Sequence, residues 1–149
     1  ALGVDGVYSV GIKPLAQGTG TVGIYIAGRA SKCSDEVVSA LQQEMNDKKG
    51  INITVSVENA TLTGVVIKLS ISVKDGYYAD DVKSQVQNEI AEYFRKLCVG
   101  DGVKYCELGE LIYHIDGVKN YIFDTSVTKE YDGDCTKLYT LGAVSITVV

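Results

Sequence analysis

The chain carries one short pattern twice. The run Val4–Val10 (VDGVYSV) returns loosely as Ile115–Tyr121 (IDGVKNY), and an apolar, β-rich run follows each copy. An Asp-Gly pair predicts a tight turn, because Gly tolerates positive φ and Asp can hydrogen-bond to its own backbone. Two small lobes, each built from strands and helices, therefore fit the 149 residues better than one large sheet.

The first lobe is predicted to fold as strand, strand, helix, strand. Alternating apolar residues predict strands over Val7–Leu15, Thr21–Ala27 and Ile51–Val57. Ser34 is the expected N-cap of the helix between the last two strands. The connection Gly18–Thr21 predicts a hairpin loop, since two glycines suit positive φ. A phosphate cradle at the same residues is less favoured, because the P-loop lysine is missing and a strand follows.

The second lobe is predicted to fold as strand, helix, helix, strand, strand. The strands are expected over Val65–Val73, Val118–Val127 and Ala143–Val149. Apolar residues at helical spacing predict a buried stripe on a long helix that opens at Asp80: Val82, Val86, Ile90, Phe94 and Leu97. A short second helix should turn Leu108, Leu111, Ile112 and Ile115 inward. The predicted class is α+β, with lobes at 1–59 and 60–149 and a short, mostly antiparallel sheet in each, covered by one or two helices.

Charge and hydropathy exclude several classes of partner. The net charge is −5 and no dense run of Lys or Arg exists, which argues against a nucleic-acid surface. No apolar run approaches the roughly 18 residues of a membrane-spanning helix, so no membrane contact is expected. The chain begins without Met and without a signal-peptide pattern, and we expect it to be a fragment of a longer protein.

Four cysteines, at positions 33, 98, 106 and 135, are expected to stay reduced in a cytoplasm, as small apolar residues. None has the spacing of metal ligands, so no metal is predicted. Cys98 and Cys106 are the one pair close enough in sequence for a disulfide, an alternative that ranks below free thiols.

No catalytic residue and no cofactor site is predicted. His114 is the only histidine and has no nucleophile motif beside it. Cys106 stands just before the predicted short helix, whose N-terminus could lower a thiol pKa, so a hydrolase using Cys106 and His114 remains an alternative. Glu130, Asp132 and Asp134 invite a calcium hypothesis, but the EF-hand ligand rhythm is absent and a solvated loop is preferred.

Aromatic usage points to contacts with other proteins. The chain has ten Tyr, two Phe and no Trp, and Tyr serves interfaces because its apolar ring carries a polar tip. Tyr77, Tyr78, Tyr131 and Tyr139 lie in predicted loops or at their margins. These four are the candidate interface residues.

The ordered set of motifs resembles the C-terminal part of baseplate J-like proteins of contractile-tailed bacteriophages and related tail-like particles. The resemblance rests on Gly6-Val7, Pro14 and Gly18–Val22 before a strand, on Gly76-Tyr77 with Ala79-Asp80 opening a helix, and on Glu107–Ile115 with Gly117-Val118 beyond. The motifs span almost the whole chain in order. The cysteines are not part of the pattern.

This resemblance implies a structural, non-enzymatic wedge component of a tail baseplate. Its expected partners are other baseplate or tail proteins and copies of itself, its expected location is the virion tail, and assembly would take place in the cytoplasm of the bacterial host. The family offers no catalytic residues to carry over. A small-molecule-binding regulatory domain is the alternative from another class, since strand–helix lobes of this size often hold ligands in clefts.

Overall fold

The computed structural model describes Ala1–Val149 and divides the chain into two compact units. Unit 1 comprises Ala1–Leu62, Leu97–Asp101 and Gly133–Leu138, and unit 2 comprises Thr63–Lys96, Gly102–Asp132 and Tyr139–Val149. The first unit thus includes two segments from later in the sequence, Leu97–Asp101 and Gly133–Leu138. The predicted lobes, 1–59 and 60–149, do not include this exchange. None of the three helices has the length and hydrophobicity needed to cross a bilayer.

Unit 1 contains β1 (Ser9–Pro14), β2 (Thr21–Ala27), α1 (Asp35–Lys48) and β3 (Thr54–Asn59). The predicted order of elements is confirmed, and so is the hairpin at Gly18–Thr21, because β1 and β2 pair antiparallel from Ser9↔Ala27 to Pro14↔Val22. Gly18 and Gly20 have φ of 110° and 77°, as such a loop requires. The Ser34 hydroxyl accepts a hydrogen bond from the Val37 amide and caps α1 as expected.

The expected start of the third strand is wrong. Gly50–Ile53 form a turn in which the Ile53 amide donates to the Gly50 carbonyl, and Asn52 has a φ of 65°. Ile51 is therefore 93% exposed, although its alternation with Ile53 predicts a buried strand residue. The core of this unit lies between α1 and the sheet: Val7, Ile24, Ile26, Cys33, Leu41 and Val57.

Unit 2 contains most of β4 (Thr61–Val73) and β6 (Lys137–Val148), with α2 (Ala79–Lys96), α3 (Tyr105–Tyr113) and β5 (Val118–Phe123) between them. The sheet order is β5-β4-β6. The predicted stripe on α2 is confirmed for Val82, Val86, Ile90 and Phe94, which are all at most 1% exposed. Its fifth member, Leu97, is buried as well but lies just beyond the end of the helix. Val65, Ile67, Leu69 and Ile71 form the matching buried row of β4.

The α+β class with two lobes is confirmed, but the sheets are mixed rather than mostly antiparallel. In unit 1, β2 and β3 are parallel, with Thr21↔Thr54 at the start of the register. In unit 2, β6 meets β4 through Thr140 with Thr63 and through Val149 with Ile71, which makes this pair parallel as well. Parallel neighbours need a crossover connection, which α1 supplies between β2 and β3. Strands β4 and β5 are also joined through helices, but they pair antiparallel.

Both Asp-Gly turns adopt the predicted backbone. Gly6 has a φ of 92° and Gly117 a φ of 97°. Gly117 is also closely packed, because a Cβ at this position would lie 2.7 Å from Tyr77 Cδ1 and 2.8 Å from Val82 Cγ2. The repeated sequence pattern thus marks two turns in which a side chain would be strained.

Candidate interaction surface

Tyr77 and Tyr78 lie between the Asp75-Gly76 turn and the first residue of α2. Tyr78 is 80% exposed, and its carbonyl accepts a hydrogen bond from the Val82 amide at 3.1 Å, which fixes the backbone beneath an exposed ring. Tyr77 is 50% exposed, and its ring covers Gly117. Tyr78 is therefore the aromatic side chain of this pair that is free to contact another molecule.

The expectation that Tyr139 lies in an exposed loop margin is wrong. Strand β6 begins at Lys137, and Tyr139 is 6% exposed within it. Its hydroxyl donates to the Asp132 carbonyl at 3.1 Å, and its ring packs against Tyr131 with centroids 5.0 Å apart. Tyr131 forms a bridge with Val103 through both backbone groups and is partly buried. These two tyrosines stabilise unit 2 by packing against each other.

The three carboxylates of the calcium hypothesis are each bound to other groups of the protein. Glu130 accepts a hydrogen bond from the Tyr105 amide at 2.9 Å, at the N-terminus of α3, where the Lys104 side chain provides no cap. Asp132 pairs with the Lys104 ammonium at 2.6 Å, which lowers the pKa of Asp132. Hydrogen bonds from Thr136 lower the pKa of Asp134. No group of three or more His, Cys, Asp or Glu side chains is arranged to hold a metal ion.

Glu130 and Asp132 are exposed, as expected of a solvated loop, but Thr128 just before them is not. It is completely buried, and its hydroxyl both accepts from the Lys68 amide at 2.8 Å and donates to the Lys68 carbonyl at 3.0 Å. The Tyr105 hydroxyl donates to the Thr128 carbonyl at 2.5 Å. The segment after β5 is thus fastened to β4 and to α3, which one threonine in a polar stretch does not reveal.

Asp124 begins this fastened segment. Its amide donates to the Lys68 carbonyl at 2.8 Å, and its carboxylate contacts the Lys68 ammonium at 3.1 Å. Hydrogen bonds from the Ser126 hydroxyl and from Lys68 lower the pKa of Asp124 from 3.8 to about 2. The carboxylate therefore stays ionised in mild acid as well as at neutral pH, until the pH approaches its lowered pKa.

The structure does not bring Cys106 and His114 together. Cys106 is exposed in the first turn of α3, not before the helix as expected, while His114 is exposed at the C-cap. Eight residues of helix at about 1.5 Å each place them about 12 Å apart along the axis. A thiol and an imidazole must lie within hydrogen-bond reach to act as a nucleophile and its base. These two residues do not form such a dyad.

No disulfide joins any two of the four cysteines in the structure. Burial raises the pKa of Cys33, whose thiol donates to the Gly6 carbonyl at 3.4 Å. Burial also raises the pKa of Cys98. A raised pKa keeps a thiol protonated and poorly nucleophilic at neutral pH.

A surface cleft of about 430 Å³ lies between α2 and α3. Polar side chains dominate its lining: Gln85, Asn88, Glu89 and His114, with Leu111 and Ile115. Leu111, which was expected to point inward, is only partly buried because it lines this cleft. This cleft is one place for the ligand of the small-molecule hypothesis, but it is partly open to solvent, whereas ligand sites typically enclose most of their ligand.

The part of the chain that forms most of unit 2 matches a known protein family. The family model for the Baseplate J-like protein C-terminal domain matches residues 65–147, from within β4 to within β6. The chain belongs to this family. The resemblance drawn from the turn glycines and apolar motifs is therefore confirmed.

Two proteins of Bacillus subtilis (strain 168) are similar over 127 residues each. Phage-like element PBSX protein XkdT is 25% identical, and the uncharacterized protein YqbT is 26% identical. Each match covers 79% of this chain and 36% of the relative. The chain thus spans little more than a third of the length of these relatives.

The fold also resembles a chain in the six-fold symmetrised structure of the anti-feeding prophage baseplate. The TM-score is 0.52 at 12% sequence identity, with 84% of this chain and 29% of that chain covered. At this identity the similarity is one of fold.

Proposed function

We propose that this chain is a structural part of a phage-type tail baseplate and acts through protein–protein contacts rather than catalysis. Membership of the Baseplate J-like C-terminal domain family carries the proposal. The name of the relative XkdT, a phage-like element protein, supports it. The expected place is the baseplate of the tail, as a wedge or assembly component joined to other baseplate proteins and to copies of itself. The expected site of assembly is the cytoplasm of the bacterial host.

The geometry of the exposed tyrosines supports a contact role. Tyr78 presents its ring to solvent on a backbone that α2 holds in place. A rigid aromatic side chain can bury a large area at little cost in conformational entropy, and such anchors are worth about 2 kcal/mol or more when truncated. Among the four candidate interface residues, we therefore assign the contact to Tyr78, with Tyr77 at its margin.

The experiment measures incorporation into particles. Tyr78→Ala is introduced into the full-length protein, tail particles are purified, and the amount of this protein per particle is quantified. Tyr113→Ala is the matched control, because Tyr113 is also exposed (63%) but lies at the end of α3 and outside the candidate set. We expect lower incorporation of Tyr78→Ala and normal incorporation of the control.

Two other outcomes are informative. Equal incorporation of both variants would remove Tyr78 from the interface. Absence of the unmodified protein from purified tail particles would contradict the structural role itself.

A further inference from the structure

Each sheet of the chain has two edge strands, and three of these four edges carry a protective device. Strand β1 contains Lys13 and Pro14. The outer edge of β3 is occupied by the Gln42 side chain, which donates to the Val55 carbonyl at 2.8 Å and accepts from the Val57 amide at 2.7 Å. Strand β5 is short and contains Lys119. Charges, proline and covered edges are the usual means by which proteins prevent a sheet from pairing with another chain.

Beyond its first residue, Lys137, strand β6 has none of these devices. Leu138–Val149 contains no charged residue and no proline, and it includes Val144, Ile146, Thr147 and Val148, which favour strands. The strand pairs with β4 on one side only. Beyond this pairing, its backbone bonds lie at its first residue, where the Lys137 amide donates to the Asp134 carbonyl and the Lys137 carbonyl accepts from the Gly100 amide.

The direction of the free backbone groups follows from the alternation of a strand. The Val149 amide donates to the Ile71 carbonyl of β4 at 2.9 Å, so the odd-numbered residues Thr147, Ser145 and Ala143 face β4. The alternation is the opposite at the start of the strand, where the Thr136 carbonyl accepts from the Thr61 amide of β4. The even-numbered residues, from Gly142 to Val148, turn their amides and carbonyls outward. Gly142, Ala143, Ser145, Thr147 and Val148 are exposed. A row of unpaired backbone donors and acceptors about 20 Å long is thus available at this edge.

We propose that the β6 edge over Gly142–Val148 pairs antiparallel with the same edge of a second copy of this chain. In a pairing centred on Ser145, Val144 lies opposite Ile146 and Gly142 opposite Val148, so the outward backbone groups of one copy meet those of the other. The β5-β4-β6 sheet of one copy and the same sheet of the second copy then form one continuous six-stranded sheet.

The absence of charge on β6 favours a second copy of the chain as the partner of this edge. Pairing of identical strands brings like residues together, and like charges directly opposite each other are destabilising. Two β6 strands meet without any charge, whereas two β5 edges would bring together the Lys119 side chains. This inference rests on the proposed function, in which copies of the chain are neighbours in one assembly.

The expected affinity of an isolated pair is low. One strand pair buries less than the roughly 1,200 Å² of a stable interface, so we expect a dissociation constant of about 10–1,000 µM for the free chain. Within an assembly, other contacts would raise the effective concentration of the two edges and so favour their pairing.

The test is sedimentation equilibrium of the chain from about 5 µM to 1 mM, a range set by that affinity. Ser145→Lys and Ser145→Glu each place like charges at the centre of the pair and should weaken dimerisation about tenfold or more. An equimolar mixture of the two variants should form a heterodimer, because the opposed charges then attract. Ile122→Lys is the control: Ile122 is 65% exposed in β5 of the same sheet, and its substitution should leave dimerisation unchanged.

Hydrogen exchange of the unmodified chain gives a second measurement that needs no variant. Protection of the Val144 and Ile146 amides should increase with protein concentration. A chain that stays monomeric, or a dimer that Ser145→Lys does not weaken, would overturn the edge pairing. Either result would leave the baseplate role intact, because that role is tested separately by incorporation into particles.

Discussion

Substitution of Thr128 by Val tests whether the segment after β5 is fastened to the sheet by one buried hydroxyl. The two side chains have nearly the same shape, so the change removes hydrogen bonds without opening a cavity. The Thr128 hydroxyl is bonded to both backbone groups of Lys68, at 2.8 and 3.0 Å. In Thr128→Val, the Lys68 carbonyl still accepts a hydrogen bond from the Asp124 amide. The Lys68 amide, in contrast, loses its bond to the Thr128 hydroxyl.

The magnitude follows from this difference. A buried amide left without a partner costs about 1–3 kcal/mol, and the bond to the Lys68 amide is partly buried, so we expect Thr128→Val to lower the free energy of unfolding by about 1–2 kcal/mol. Thr128→Ser keeps the hydroxyl and removes one methyl group, which should cost only about 0.8 kcal/mol. Urea unfolding followed by far-ultraviolet circular dichroism measures both. If Thr128→Val proved as stable as Thr128→Ser or more stable, the hydroxyl would not be what fastens the segment.

Three further predictions concern the core, a turn and acid stability. Ile90→Ala should cost about 2–5 kcal/mol in urea unfolding, because Ile90 is completely buried, while Gln87→Ala on the exposed face of the same helix should cost little. Gly117→Ala should cost at least about 1–2 kcal/mol because φ is 97°, whereas Gly3→Ala, with no atom within 4 Å, should be neutral in the same assay. The folded pKa of Asp124, about 2, lies below its ordinary 3.8, so its contribution is complete above pH 4 and lost as the pH falls through 2. The stability difference between the unmodified chain and Asp124→Asn should therefore shrink over that interval, and a constant difference would argue against the Asp124 interactions.

The sequence was sufficient to predict the order of elements because the apolar residues repeat with clear periods. The α2 stripe is an example: Val82, Val86, Ile90 and Phe94 recur every fourth residue, and all are buried. A helical period that long has no competing interpretation as a strand. The fold class followed from the same periodicity in both lobes.

Alternation alone failed at Ile51 because it does not locate the end of a turn. Ile51 and Ile53 continue the alternation of β3, yet the chain is still turning there and Asn52 adopts a positive φ. The reason for a glycine at position 109, within α3, could not be predicted either. Its low helix propensity argues against a helix here, but the Tyr121 hydroxyl of β5 occupies the space that a side chain at 109 would fill. Contacts between residues distant in sequence leave no local pattern from which they could be predicted.

The candidate interface illustrates which kinds of surface a sequence can reveal. Tyrosines are visible in composition, and that signal led to Tyr78 as well as to Tyr139, which proved to be buried. A strand edge binds through backbone groups that every residue has, so it leaves no side-chain motif. Its only trace is negative: Leu138–Val149 lacks the charges and prolines that usually interrupt an edge strand. That trace gains meaning only once the sheet order places β6 at an edge, because the same uncharged run in a central strand would be unremarkable.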